Sequence, residues 1–431
     1  MTTLIILVFV IGYLLITLEH PIRLNKTATA LITGVLCWTL YILHVPEPEP
    51  VLERLGHHLA EIAQILFFLM GAMTIVELID IHDGFSIITD RIASRNARVL
   101  LWLICGLTFF LSAMLDNLAS AIVMVSVTRK LVKDPEQRRL MAGMIIISAN
   151  AGGAWSPIGD VTTTMLWIGG QVTTMNIISQ LFLPSLVCLL VPLVWLTFTI
   201  KPTSETEIAT TKKGISRPYV TPLQRRDRRI MFATGLTAIL FVPIFKTVTH
   251  LPPYMAMMLA LGAVWVVSEI IHADKDEEHR QRFTAAYALS KIDIPSILFF
   301  LGILLAVGAL QSTEILSRVA FALDEAVGDL DLIVMIIGVA SAIVDNVPIV
   351  AAAMGMYDLT TYPADAKLWE FLAYCAGTGG SLLVIGSAAG VAVMGMEKLE
   401  FGWYLRRISG LALLGYIAGA LTYFAVYGLT H

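Results

Sequence analysis

The sequence predicts an all-α polytopic membrane protein made of two inverted repeats, each with a re-entrant helical hairpin and a broken helix. Three observations point there. The 431 residues are 57% apolar and only 14% charged, with mean hydropathy +0.78, too few charges to cover a soluble surface. Apolar segments of about 18 residues or more recur along the chain, long enough to cross a hydrocarbon core of about 30 Å. Finally, phrases from the first half return in order, and at a nearly constant offset, in the second. Ile65-Leu-Phe-Phe-Leu69 reappears as Ile297-Leu-Phe-Phe-Leu301. Ser112-Ala-Met-Leu-Asp116-Asn117 returns as Ser341-Ala-Ile-Val-Asp345-Asn346. The set Gly152, Gly153 and Gly159 returns as Gly379, Gly380 and Gly386. Apolar pentamers recur freely in membrane sequences, so the polar and glycine matches carry the repeat.

The elements follow in order. Helices are expected at 2–18, 27–45 and 61–80. The first lacks a basic leader and is closely followed by another apolar run, so it reads as a retained helix rather than a signal peptide. A helix pair at 98–112 and 114–131, a helix at 139–171 with a break, and a helix at 176–200 complete a first membrane repeat, 1–200. Residues 201–228 are rich in Thr, Lys and Arg, contain Pro202, Pro218 and Pro222, and read as a cytoplasmic linker. The second membrane repeat, 229–431, repeats the layout at 229–247, 254–272, 293–312, a pair within 328–358, a broken helix at 366–397, and 403–428. Helices of about 15 residues rise only about 22 Å, short for a full crossing, which favours a re-entrant over a fully spanning reading of each pair.

Basic residues set the orientation. With the N-terminus outside and each pair returning to its own side, 25 of the 29 Lys and Arg fall in inner loops; Arg54, Lys246, Arg318 and Lys367 are the exceptions. That asymmetry is the positive-inside signature. Each half then crosses an odd number of times, so the second inserts upside down and both termini lie outside. Inverted repeats with interrupted helices are a recurrent plan of secondary transporters. The chain has no P-loop, dinucleotide fingerprint, nucleophile elbow or zinc signature, which argues against ATP-driven transport and against an enzyme. An intramembrane protease would want a Ser-His, Asp-Asp or zinc set, and Asp116 and Asp345 lack that context. Cys37, Cys105, Cys188 and Cys375 lie scattered in apolar segments with no metal-binding spacing, as small hydrophobes do.

The chemistry concentrates at the hairpin turns and helix breaks. A carboxylate in lipid is costly and is tolerated where it faces a cavity or ion path. Asp116 and Asp345 sit at the two turns, where unwound backbone frees carbonyls and Asn117 and Asn346 add amide oxygens. Hard cations want several oxygen ligands, so sodium is expected at Asp116, Asn117, Asp345 and Asn346. Burial disfavours a charged carboxylate, so one such group can hold a proton or a sodium ion in alternation, the physical basis of antiport. Asp-Asn also reads as a helix cap. The second constellation runs from Ser148 through Asn150, Pro157, Gly159, Asp160, Thr162 and Thr163. Its counterpart holds Thr378, Ser381, Gly386 and Ser387, with Ser387 in register with Asp160. Ser112 and Ser341 open the two tip phrases. Glu77, three-quarters along its apolar run, reads equally as a buried proton-handling group or a structural one, while Glu61 and Asp80 read as interfacial. His57, His58, His82 and His272 fall at helix ends and read as interfacial too. No Arg or Lys stands near either tip, which argues against the runner-up, a sodium-coupled transporter of dicarboxylate or arsenite anions.

At these residues the chain resembles the NhaD-type sodium/proton antiporters of the ion-transporter superfamily. The phrases carrying the resemblance are Gln64 to Asp80, Ser112 to Ser120, Ser148 to Thr164, Ser341 to Pro348 and Gly377 to Gly380. It implies a bacterial inner (plasma) membrane protein that exchanges sodium or lithium for protons. It further implies an elevator-type scaffold and transport domain, a homodimer, and no cofactor besides the transported ions. Functional weight would fall on Asp116, Asn117, Asn150, Asp160, Thr162, Thr163, Asp345 and Asn346. The superfamily's carboxylate transporters carry Ser-Asn-Thr at the tips; Asp-Asn stands here instead.

Overall fold

The computed structural model describes residues 2–89, 96–199, 222–274, 276, 281–343 and 345–430. Among these the chain is helical throughout and forms no strand. The first half holds α1 (Thr2–Thr17), α2 (Lys26–Leu43), α3 (Glu49–Ile81), α4 (Ala97–Met114), α5 (Asn117–Leu131), α6 (Pro135–Ala154), α7 (Val161–Ile168) and α8 (Thr174–Thr199). The second holds α9 (Pro222–Thr249), α10 (Pro253–Ile271), α11 (Ile294–Ser312), α12 (Ile315–Val327), α13 (Leu330–Ala340), α14 (Asn346–Met356), α15 (Lys367–Gly379), α16 (Ala388–Glu397) and α17 (Ser409–Thr430). Most of the expected linker lies outside the described residues, and its last stretch is already helical, since α9 starts at Pro222. Of the other basic residues assigned to inner loops, Arg91, Arg95, Lys275 and Arg280 also lie outside.

Eight described helices are long and apolar enough to cross a membrane: α2, α3, α4, α8, α9, α10, α11 and α17. By contrast α13 and α14 have 11 residues each, a rise of about 16 Å, about half of a bilayer core. Polar caps set the boundaries: Asn25 accepts from Thr27 N at 2.8 Å before α2, and Asn96 from Arg98 N at 2.9 Å before α4, each satisfying an otherwise orphaned amide.

Two elements differ from the sequence expectation. Helix α3 begins at Glu49, well before the apolar run, with Pro50 in its first turn, where a missing N–H costs nothing. The added turns are polar but anchored: Arg54 Nη1 donates to Ser312 O at 2.7 Å and to the Tyr41 hydroxyl at 3.0 Å. Helix α12 falls where the sequence suggests only a connection. It buries Ile315, Leu316 and Ala320 on one face and exposes Arg318 and Glu325, and Gly328 ends it in the left-handed conformation, φ 71°, that glycine adopts without penalty.

Counterpart helices of the two halves run antiparallel where they meet. The start of α3 meets the end of α11, with His58 Nε2 3.0 Å from Ser312 Oγ. At the other end Glu77 and Asp80 of α3 share a cavity with Lys291, Ile292 and Asp293, which lead into α11. Likewise α8 crosses α17 so closely that a Cβ on Gly415 would stand 2.3 Å from Cys188 O, and one on Gly419 2.6 Å from Pro184 O. Gly415 is offset from Cys188 just as Gly379 is from Gly152, so the crossing pairs positions that the sequence repeat matches. Antiparallel counterparts are what an inverted repeat requires. The four cysteines are buried.

Candidate functional site

Glycine lets each hairpin touch the broken helix of its own half. A Cβ on Gly152 would lie 2.2 Å from Phe109 O, and one on Gly379 2.0 Å from Gly338 O. Gly159 meets Ser112 O and Ala113 Cα, as Gly386 meets Ala342. Serine sits at the same crossing: Ser112 Oγ donates to Ala149 O at 2.5 Å, and Ser341 Oγ, which donates to Gly338 O of its own helix at 2.7 Å, also lies 3.2 Å from Ala376 O. The breaks are likewise matched. Asp160 caps α7 by accepting from Thr162 N at 2.9 Å, and Ser387 caps α16 by accepting from Gly390 N at 3.1 Å.

The two tips meet at Asp160. Its Oδ1 accepts from Thr162 Oγ1 at 2.8 Å and Asn346 Nδ2 at 3.4 Å, besides Thr162 N. Its Oδ2 accepts from Asn117 Nδ2. Asn117 Nδ2 also reaches Asn150 Oδ1 at 3.2 Å, and Asn150 Nδ2 donates to Ser381 Oγ and Ser387 Oγ, both at 2.9 Å. Asn117, Asn346, Asn150, Asp160, Thr162, Ser381 and Ser387 are all buried. Both hairpins and both broken helices thus converge on one carboxylate at the N-terminus of α7, whose dipole favours negative charge. No Lys or Arg pairs with Asp160 among the described residues.

The remaining expected residues sit elsewhere. Asp116 and Asp345 turn back as N-caps, accepting from Ala119 N at 2.7 Å and Val347 N at 3.4 Å. The asparagine that follows each points inward instead. Asp116 lines a cavity of about 180 Å³ with Glu77, Asp80, Lys291 and Asp293. Asp345 forms an ion pair with Lys26, Nζ to Oδ2 3.5 Å, which corrects the expectation that no basic residue stands near either tip. Thr163 and Thr378 are buried but bond backbone carbonyls, Asp160 O at 2.9 Å and Tyr374 O at 2.6 Å, the usual use of threonine in a membrane helix. His82 and His272 end α3 and α10 as expected, yet they are buried rather than interfacial and stack on each other, with Nε2 atoms 2.8 Å apart.

Sequence reasoning missed Ser120. It lies one turn beyond Asn117 on α5, fully buried, and its hydroxyl has no hydrogen-bond partner among the described residues. A buried unpaired hydroxyl costs about 1–3 kcal/mol, so this oxygen, one turn from Asn117, is a candidate member of the site. In the sequence it only closes the phrase from Ser112 to Ser120, one helical turn from Asn117.

Paired hairpins and broken helices that meet at a buried carboxylate define a multi-pass membrane protein of the secondary-transporter type. The chain belongs to the CitMHS citrate transporter family, whose profile matches residues 13–371, and to the NhaD-type sodium/proton antiporters. It is 49% identical to sodium/proton antiporter 1 of Arabidopsis thaliana over 98% of this chain and 72% of that one. For sodium/proton antiporter 2 of the same plant the identity is 48%, over 98% and 99%. For the Na(+)/H(+) antiporter NhaD of Vibrio cholerae it is 32%, over 96% and 89%. The solved structure of the YdaH transporter of Alcanivorax borkumensis superposes with a TM-score of 0.58 at 11% identity, covering 94% of this chain and 99% of that one, a likeness of fold.

Proposed function

We propose that the protein exchanges sodium or lithium ions for protons, with Asp160 as the group that holds either ion in turn. The observation that carries this reading is the convergence of both hairpin tips on one buried carboxylate that accepts from Asn117, Asn346 and Thr162 and has no cationic partner among the described residues. The asparagine amides are isosteric about their last torsion. Turned over, Asn117 and Asn346 present oxygen instead of NH2 to the same point, as a hard cation requires. A cation replaces the amide donors, and a proton on Asp160 replaces the cation, so the two loads exclude one another. Thr162, Ser381, Ser387 and Ser120 supply further oxygens around the centre, and Asp116 with Glu77 lines a side cavity through which protons or cations reach the first tip.

The named activities of the plant and bacterial relatives support the reading. The distribution of basic residues supports outside termini, with residues 1–200 and 229–431 as inverted membrane repeats joined by a cytoplasmic linker at 201–228. The resemblance supports a homodimer in a bacterial inner membrane. The family's description, citrate transporter, brings up anion transport as a second reading; against it, the central cluster contains no basic side chain and Lys26 is engaged by Asp345.

Proteoliposomes with an imposed pH gradient test the reading. Removing one charge from a buried ion pair costs about 3–5 kcal/mol, so Asp160→Asn should lower sodium-driven proton flux by about 100-fold or more while the protein still inserts. Wild-type flux in that variant would sink the assignment.

A further inference from the structure

The repeat makes Asp116 and Asp345 equivalent in position, yet they stand in different charge environments. Lys26, the first residue of α2, reaches Asp345 across 319 residues of sequence, with side chains only 26% and 15% exposed. The same Nζ lies 4.6 Å from the centre of the Phe299 ring, and its backbone N–H donates to Glu19 Oε1 at 3.2 Å. Carboxylate and ring face both attract the ammonium, and the capped start of α2 fixes where it emerges. At the first tip no Lys or Arg lies within ion-pair distance of Asp116 among the described residues.

We propose that the ammonium of Lys26 is a built-in cation that fills the second tip, so that the chain binds one sodium ion rather than the two its repeat would otherwise provide. This rests on the reading of Asp160 as the ion-binding centre. A compact ammonium and a sodium ion compete for the same carboxylate oxygens, and the tethered one is never diluted. The second half has Ser387 where the first has Asp160, so Asp345 is the carboxylate that would hold its cation. Lys26 acts on ion count by occupying Asp345, which makes it a specificity-determining residue of the exchange.

The residue is open to chemistry. It lines a cavity of about 580 Å³ with Glu19, Arg23, Asn25 and Leu118, while the four native cysteines are buried. A thiol placed there by Lys26→Cys can therefore be modified selectively in the folded protein. Radioactive sodium bound at saturation to purified protein is the readout, since a merely structural lysine would not change that count. Wild type should bind one sodium per chain and Lys26→Cys two. Aminoethyl methanethiosulfonate, which restores an ammonium, should return the count to one, whereas the neutral methyl reagent should leave it at two. Adding Asp345→Asn to Lys26→Cys should also return it to one. A count of one in unmodified Lys26→Cys overturns the proposal. Should that variant fail to fold, Lys26→Met, which keeps the length of the side chain without its charge, decides by the same count: two sodium ions support the proposal, one overturns it. Asp160→Asn separates the two ideas, because sodium still bound there refutes the Asp160 centre, whatever happens at Lys26.

Discussion

The first hairpin leaves only Leu115 and Asp116 between its two helices, whereas the second leaves the longer stretch from Ser341 to Asp345. Both press a backbone carbonyl against a glycine and a serine hydroxyl against a carbonyl of their broken helix. Their polar chemistry has parted. The first tip faces a cavity lined by Glu77, Asp80 and Asp293 together with Lys291, is followed by the buried Ser120, and has Asp160 in its own broken helix. In the second, Asp345 is paired with Lys26, Ile349 stands in the register of Ser120, and Ser387 in that of Asp160. The repeat therefore keeps what packs and varies what binds. A hairpin must cross its helix at the same distance in both halves, but one carboxylate suffices for one ion.

The comparison is broken most severely at the shared packing. Gly152→Ala and Gly379→Ala would each drive a methyl group into a carbonyl, at 2.2 Å and 2.0 Å. Neither backbone can give way cheaply, and overpacking costs at least about 1–3 kcal/mol. Both variants should lower the melting temperature of the detergent-solubilised protein by similar amounts; a loss confined to one would show that the two crossings are not equivalent. A smaller effect is expected at Asn150, which links the first tip to the second broken helix. Asn150→Ala removes its hydrogen bonds to Asn117, Ser381 and Ser387, worth about 0.5–1.5 kcal/mol each. It should raise the half-saturating sodium concentration for proton flux roughly tenfold with the fold intact, and unchanged sodium dependence would remove Asn150 from the site.

Hydropathy exposed the long helices because a bilayer leaves them little choice of composition, and it stopped where that pressure stops. The start of α3 and all of α12 are amphipathic or polar, so an apolar scan passes over them. The tip phrases were legible as units, but not which member of each pair faces inward. That depends on the cap: Asp116, at φ −173°, folds its carboxylate back onto Ala119 N, and the next residue takes the inward direction. Asp160 stands in the sequence as one polar member of the second constellation, and the structure makes it a cap on which both tips close. Lys26 was invisible for another reason. Its partner lies 319 residues away, and local charge counts cannot find a neighbour brought in by another helix.

The finest difference between the halves is Ser120 against Ile349, and it has a signature of its own. An unpaired buried hydroxyl destabilises the sodium-free protein, so Ser120→Ala should raise the melting temperature without sodium, by an amount corresponding to about 1–3 kcal/mol. If the hydroxyl is a ligand, the variant should bind sodium about fivefold more weakly, the value of one neutral oxygen contact of about 1 kcal/mol. Sodium stabilises whatever binds it, so the wild type should gain more from added sodium than the variant, and their melting temperatures should converge as sodium rises. A variant that melts higher by the same margin at every sodium concentration would make Ser120 a packing defect and leave the first tip with the same ligands as the second.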